Sequence, residues 1–184
     1  MLLTAIAERA EMRGRISVNV TDRDGMLSEI IVQLRQKASH ILAPETNSWL
    51  SEIHVHGVGF TRTREEVPST WRADMTKAVS ELNEKGSGLP ITVDEASAQS
   101  DELPVLIDSF QHFVRERRDV ALLLAGLPHN VSTLIDVDAT SFLRRAFKHT
   151  MDQISATDTS YAIKETVEGA GRGIAAPALK VAAD

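Results

Sequence analysis

Leu89-Pro90-Ile91-Thr92-Val93-Asp94-Glu95-Ala96-Ser97 is the stretch on which the fold turns. Leu89 to Val93 is a nearly continuous apolar run, set off by Gly86 and Gly88 before it and by two acids after it. A short run without alternation is the pattern of a strand covered on both faces, as in a parallel sheet flanked by helices. Asp94 and Glu95 then stand at its carboxyl end, followed by a polar loop.

The flanking sequence alternates between helical and strand patterns. Upstream, Trp71, Met75, Ala78, Val79 and Leu82 recur at helical spacing and stop near Gly86. Downstream, Leu103, Leu106, Ile107, Phe110, Phe113 and Val114 mark the clearest helix in the chain. Asp101 and Glu102 precede it, where the helix dipole favours acids. Val120-Ala121-Leu122-Leu123-Leu124-Ala125 reads as a second buried-type strand, punctuated by Gly126-Leu127-Pro128.

Nearer the amino end, Arg15 to Val20 alternates strictly and predicts a strand. Leu2, Leu3, Ile6, Ala7 and Ala10 share a helical face stopped by Gly14, and Asp24 is placed to cap a helix with a stripe of Leu27, Ile30, Ile31, Leu34 and Ala38. Ile53 to Phe60 alternates enough for a short strand or hairpin arm. A helix is expected from about Ser141, with Phe142, Leu143, Ala146 and Phe147 inward. Two shorter helices follow, one after Asp158 and one begun by Pro177. The alternation predicts an α/β fold, a mainly parallel sheet with helices on both faces. Ligands in such folds sit at the carboxyl ends of the strands, the region of Asp94-Glu95 and of Gly126.

Composition bounds the function. The 184 residues fit one domain, or one and a small part. A net charge of −6 argues against broad binding to nucleic acid or acidic membranes, though not against a local basic patch. There is no cysteine, which removes disulfides and thiolate chemistry. No apolar stretch approaches the roughly 20 residues of a membrane span. Met1 to Ala5 has no basic lead-in or cleavage pattern, so no signal peptide is expected and the cytoplasm is the expected compartment.

A carboxylate at a strand tip can hold magnesium directly or through water, and a neighbouring one can orient or deprotonate an attacking water. On that reading Asp94 is the metal acid and Glu95 the base. The plainer alternative is that Asp94, Glu95 and Ser97 begin a polar loop. The glycine-rich phosphate loop G-x-x-x-x-G-K-[S/T] occurs nowhere in the 184 residues.

From Ile91 onward the chain resembles a bacterial family of AAA-type P-loop ATPases, close to the archaeal-ATPase and STAND groups. The resemblance is carried by Ile91 to Ala96, Val120 to Pro128, Ser141 to Ala146 and Ala162 to Gly171, in that order. Met1 to Ala7 is similar to the helix that follows G-K-T in those proteins. The resemblance implies that the first strand and phosphate loop lie ahead of Met1. It also implies that the end stops before the rest of the lid and a winged-helix region. Residues 1–155 would then be a truncated P-loop NTPase-like α/β core and residues 156–184 a partial helical lid. Asp94 would be the magnesium-associated Walker B acid and Glu95 the general base. The Val120 strand takes the sensor 1 position, with Ala125-Gly126 where a polar residue is usual. Arg144 and Arg145 become candidates for an arginine finger or phosphate sensor, against the plainer reading that they occupy a solvated helix face.

ATP and magnesium are the ligands this implies for complete relatives. ATP's phosphates are held by the loop's backbone N–H groups and lysine, so this chain alone is expected neither to bind ATP tightly nor to hydrolyse it. Removing the first strand would bare an edge of the Val120-Ala125 strand, and exposed edges recruit other chains. A homo-oligomer through that edge, or its pairing with His149-Thr150-Met151, is expected. The second functional reading is a non-catalytic α/β interaction module acting through the same edge.

Other features read as structural. His54 and His56 would share a strand face but have no convincing further ligands for zinc. Trp49 and Trp71 read as core anchors. Gly169-Ala170-Gly171-Arg172-Gly173 lacks a preceding strand and a Lys-Ser/Thr ending, and fits a turn between helices.

Overall fold

Residues 2–46, 67–151 and 154–183 are described by a computed structural model. They divide into two compact units, Met1–Ala146 and Phe147–Asp184. His54, His56, Trp49 and the alternating stretch 53–60 lie outside the described residues.

Three strands form the sheet of the first unit: Val18–Thr21 (β1), Leu89–Asp94 (β2) and Val120–Leu124 (β3). β2 is central and pairs in parallel with both others. The architecture is α/β with a parallel sheet, as the alternation of patterns predicts. Pro90 has no N–H to give to a ladder. Regular pairing of β1 with β2 starts one residue later, at Val18 opposite Ile91, so a proline is tolerated in the middle strand.

Helix Leu2–Glu11 (α1) precedes β1 and Met26–Ala38 (α2) follows it. Val67–Glu84 (α3) leads into β2, and Leu103–Arg115 (α4) connects β2 to β3. After β3 come Pro128–Asp136 (α5) and a 3₁₀ helix, Asp138–Arg145. Because strand side chains alternate between faces, Val18, Val20, Leu89, Ile91 and Val93 point the same way. They are buried with Ile30 and Leu34 of α2, Met75 and Leu82 of α3, and Leu106, Ile107 and Phe113 of α4. Ala121 and Leu123 point to the other face and border a groove with α1. Trp71 is buried as expected, and its indole Nε1 donates to the Leu27 carbonyl at 3.0 Å.

The two edges of the sheet differ. Asn19 lies on the outer side of β1. Its N–H donates to Gln33 Oε1 at 3.1 Å, and its carbonyl accepts from Gln33 Nε2 at 2.7 Å. One amide of α2 thus satisfies both backbone groups. On the outer side of β3 no strand pairs among the described residues.

Several sequence expectations need correction. Asp24 does not cap α2: Gly25 holds the N-cap position with φ 86° and no local side-chain cap. The stretch from Ser141 is the end of a 3₁₀ helix, with Phe147 93% exposed rather than inward. Only Leu143 of the expected inward set is buried, while Phe142 packs partly against the core, edge-on to Phe110. Val114 is also exposed, and of the apolar face of α1 only Ala7 is buried. β3 is half-exposed, because a run of leucines reads the same at an edge as in the middle. His149-Thr150-Met151 forms no strand.

The second unit holds Ala156–Gly169 (α6) and Ala176–Ala183 (α7), the two short helices predicted near the end of the chain. Ser155 caps α6 by accepting from the Asp158 N–H at 3.1 Å. Gly171, with φ 71°, sits in the turn between the helices, as expected for the Gly169–Gly173 run. Neither helix buries a residue. Among the described residues no helix is long and apolar enough to cross a membrane.

Candidate functional site

The carboxyl ends of the three strands bring together what the sequence separates by about a hundred residues. Asp94 is the last residue of β2. Thr21 ends β1, and Asp22, immediately after it, donates its N–H to the Asp94 carbonyl at 2.9 Å. Ala125 and Gly126 follow β3, and the Ala125 carbonyl accepts from the Ala96 N–H at 2.8 Å. The acid pair is therefore held between both neighbouring strand tips.

Glu95 has φ 58°, in the left-handed region that a residue with a Cβ rarely adopts. Its N–H donates to Asp94 Oδ1 at 2.9 Å, and its side chain is exposed. Left-handed backbone at a non-glycine residue costs about 1–2 kcal/mol and persists only where the surroundings impose it. Here the next residue, Ala96, is fully buried and bonded to β3, so the chain must turn within one residue. Gly126 makes that approach possible. A Cβ at position 126 would lie 2.6 Å from the Ala96 carbonyl oxygen.

Asp22 was not singled out in the sequence, where an acid in a strand-to-helix turn carries no special signal. Its Oδ2 accepts from the Ser97 N–H at 2.9 Å. Its Oδ1 is buried and has no hydrogen-bond partner among the described residues. A carboxylate oxygen shut from water without a donor is uncommon, and a cation or water would satisfy it. Glu102 completes the tie. Its two oxygens accept from the N–H groups of Gly25, at 2.8 Å, and Leu27, at 2.7 Å, at the amino end of α2. The acid expected to serve its own helix instead caps another.

The two arginines part company. Arg144 donates to the carbonyls of Ile135 and Asp136, at 3.3 and 3.4 Å, and so caps the carboxyl end of α5. Arg145 borders a shallow cavity of about 260 Å³ with Arg115, Gln111, Ser141 and Phe142. Arg115 stands at the far end of α4 from Glu102, about 20 Å along the helix at 1.5 Å per residue. Neither arginine makes a hydrogen bond or ion pair with Asp94 or Glu95 among the described residues. Among the described residues no group of three or more His, Cys, Asp or Glu is gathered to hold a metal ion.

No protein-family model, curated protein or solved structure matches the chain.

Proposed function

We propose that the chain carries the hydrolytic half of an AAA-type ATP-binding domain, with Asp94 as the magnesium acid and Glu95 as the base that orients water. The observation that carries this reading is the acid pair at the carboxyl tip of the central parallel strand, where α/β folds bind ligands. The left-handed backbone of Glu95 supports it, since strain of this kind collects at functional sites.

The donor set fits magnesium. Asp94 offers hard carboxylate oxygen, and Asp22, whose N–H is bonded to the Asp94 carbonyl, has an Oδ1 without a partner among the described residues. Magnesium keeps most of its waters and takes one or two carboxylates plus substrate phosphates, so it does not need an all-protein cage. When bound, it would neutralise charge on the transferring phosphoryl group. In this reading Asp94 holds the ion, Glu95 accepts a hydrogen bond from the attacking water, and Gly126 keeps the β3 loop close enough to fix both. Nothing in the 184 residues supplies the glycine-rich loop and lysine that grip the phosphates. The polypeptide alone is therefore inactive.

The test has two arms. The purified chain with magnesium and ATP is expected to show no turnover above background. A fusion adding a strand and a G-x-x-x-x-G-K-T loop ahead of residue 1 is expected to hydrolyse ATP, and Glu95→Gln in that fusion to abolish turnover while binding persists. Turnover by the unfused chain that Glu95→Gln removes would overturn its inactivity. Turnover by the fusion that is indifferent to Glu95→Gln would overturn the role of the acid.

One observation favours a second reading, a binding module that works without catalysis. β3, Val-Ala-Leu-Leu-Leu, is an aliphatic edge strand without charges or prolines of its own, and no strand pairs with its outer side among the described residues.

A further inference from the structure

We infer that the outer edge of β3, unpaired among the described residues, with the groove beside α1, accepts an extended segment of another polypeptide carrying two acidic side chains at positions i and i+2. The inference rests on the second reading above and names the partner of that edge.

The backbone argument comes first. The Leu89 N–H donates to the Asp119 carbonyl at 3.0 Å, and the Ala125 N–H donates to the Val93 carbonyl at 2.9 Å. Odd-numbered residues of β3 thus turn their peptide groups to β2. In a parallel ladder the residues between them turn outward, so Leu122 and Leu124 each present an N–H and a C=O to the open side. The opposite edge has its outward residue, Asn19, answered by the Gln33 amide. Only a chain in extended conformation presents donors and acceptors at the matching repeat, which makes strand addition the mode of binding.

The side-chain argument fixes the chemistry. Next to the edge lies a groove of about 610 Å³, floored by Pro90, Ala121 and Leu123 and walled by Ile6 and Arg9 of α1 and by Arg13 in the turn that follows it. Arg15, at its end, is paired with Asp119. Arg9 and Arg13 are exposed and have no partner among the described residues. In a chain of net charge −6 these are cations in a groove whose one carboxylate, Asp119, is already paired with Arg15. Side chains at i and i+2 of a strand point to the same face. An acid-x-acid segment laid along β3 therefore turns both carboxylates toward the side of Arg9 and Arg13, with the side chains on its other face free to be apolar.

A second copy fits less well. A two-fold axis that pairs β3 with its counterpart antiparallel puts both α1 helices on one face beside the seam. Arg9 and Arg13 of each copy would then converge, and the carboxylate in the groove, Asp119, is already paired.

The test uses the full chain and fluorescence anisotropy with a labelled peptide, Thr-Val-Glu-Val-Glu-Val-Thr, and its lysine counterpart. The acidic peptide is expected to bind and the lysine peptide to bind at least tenfold more weakly. Charge reversal at Arg9→Glu and Arg13→Glu, both exposed, should invert that preference. Leu122→Pro, which removes one outward N–H but none of the bonds to β2, should weaken both. Should Leu122→Pro fail to fold, the charge-reversal variant still decides the outcome. Equal binding of the two peptides, indifferent to charge reversal, overturns the acidic partner but leaves the edge as a docking strand. A concentration-dependent dimer by sedimentation, abolished by Leu122→Pro, overturns it in favour of a second copy. Absence of any binding overturns both the inference and the reading beneath it.

Discussion

Gln33 closes the outer edge of β1 by answering both backbone groups of Asn19, its Oε1 accepting at 3.1 Å and its Nε2 donating at 2.7 Å. A glutamine on a helix here does what a neighbouring strand would do. Gln33→Leu leaves the Asn19 groups without protein partners at a partly buried site, so stability should fall by about 1–3 kcal/mol in chemical denaturation. Gln33→Glu keeps the acceptor and loses the donor, and should fall between the two. Equal stability of all three proteins would remove the edge-closing role.

Glu102 and Asp24 make opposite predictions about α2. Asp24 sits where a local cap is expected, but Glu102 holds the Gly25 and Leu27 N–H groups. Glu102→Ala should cost about 1–2 kcal/mol, the range for losing a helix cap. Asp24→Ala should be nearly neutral. The reverse order in thermal unfolding would refute the long-range cap.

Glu95 is expected to trade stability for chemistry. Glu95→Gly relieves the left-handed backbone at φ 58° and should raise stability by about 1 kcal/mol. In the fusion that supplies a phosphate loop, the same substitution should abolish turnover. A loss of stability on Glu95→Gly would mean that its side chain, not the strand tips, holds that turn.

Gly126→Ala tests the closeness of the two strand tips. Its new Cβ would stand 2.6 Å from the Ala96 oxygen, a backbone atom that must move. Overpacking of this sort should cost about 1–3 kcal/mol and shift amide resonances at Glu95 and Ala96 in NMR spectra. Unmoved resonances would contradict the tight approach.

One acid gives a pH dependence. Glu11 is held below the ordinary carboxylate range, first by its hydrogen bond from Lys37 and next by that from Ser17. These bonds are 2.7 and 2.6 Å long. The folded chain therefore binds fewer protons at this site than the unfolded one. Its contribution is complete above the ordinary carboxylate range and is lost as pH falls through the depressed folded value. Glu11→Gln should remove that part of the acid sensitivity, seen as a flatter stability profile below about pH 4.5. Unchanged steepness would assign the acid limb to other groups.

The middle of the sheet was legible because burial on both faces leaves a run such as Leu89 to Val93 with no alternative pattern. Val18 and Val20 alternated with polar residues and revealed β1 by the period of two of a strand with one buried face. The apolar run of β3 gave its type but not its surroundings, since nothing in Val120 to Leu124 distinguishes a middle strand from an edge. Phe142, Leu143, Ala146 and Phe147 matched a helical stripe, yet the 3₁₀ turn ends at Arg145 and leaves Phe147 in water. Of the site, the acid pair and its strand were readable. Asp22, the cap from Glu102 and the need for Gly126 were not, because each depends on a contact between residues 30 to 77 positions apart.

The segment from Ser97 to Glu102 is moored at both ends to the passage from β1 into α2, by Asp22 just after β1 at one and by Glu102 on the Gly25 and Leu27 N–H groups at the other. A ligand drawn onto Asp94 would tug that mooring, and the helix would register the pull where its first peptide groups are held. Hydrogen exchange at Gly25 and Leu27 is then a gauge of occupancy at a spot the ligand never touches, and a rate that stays constant on loading would show the rope to be slack.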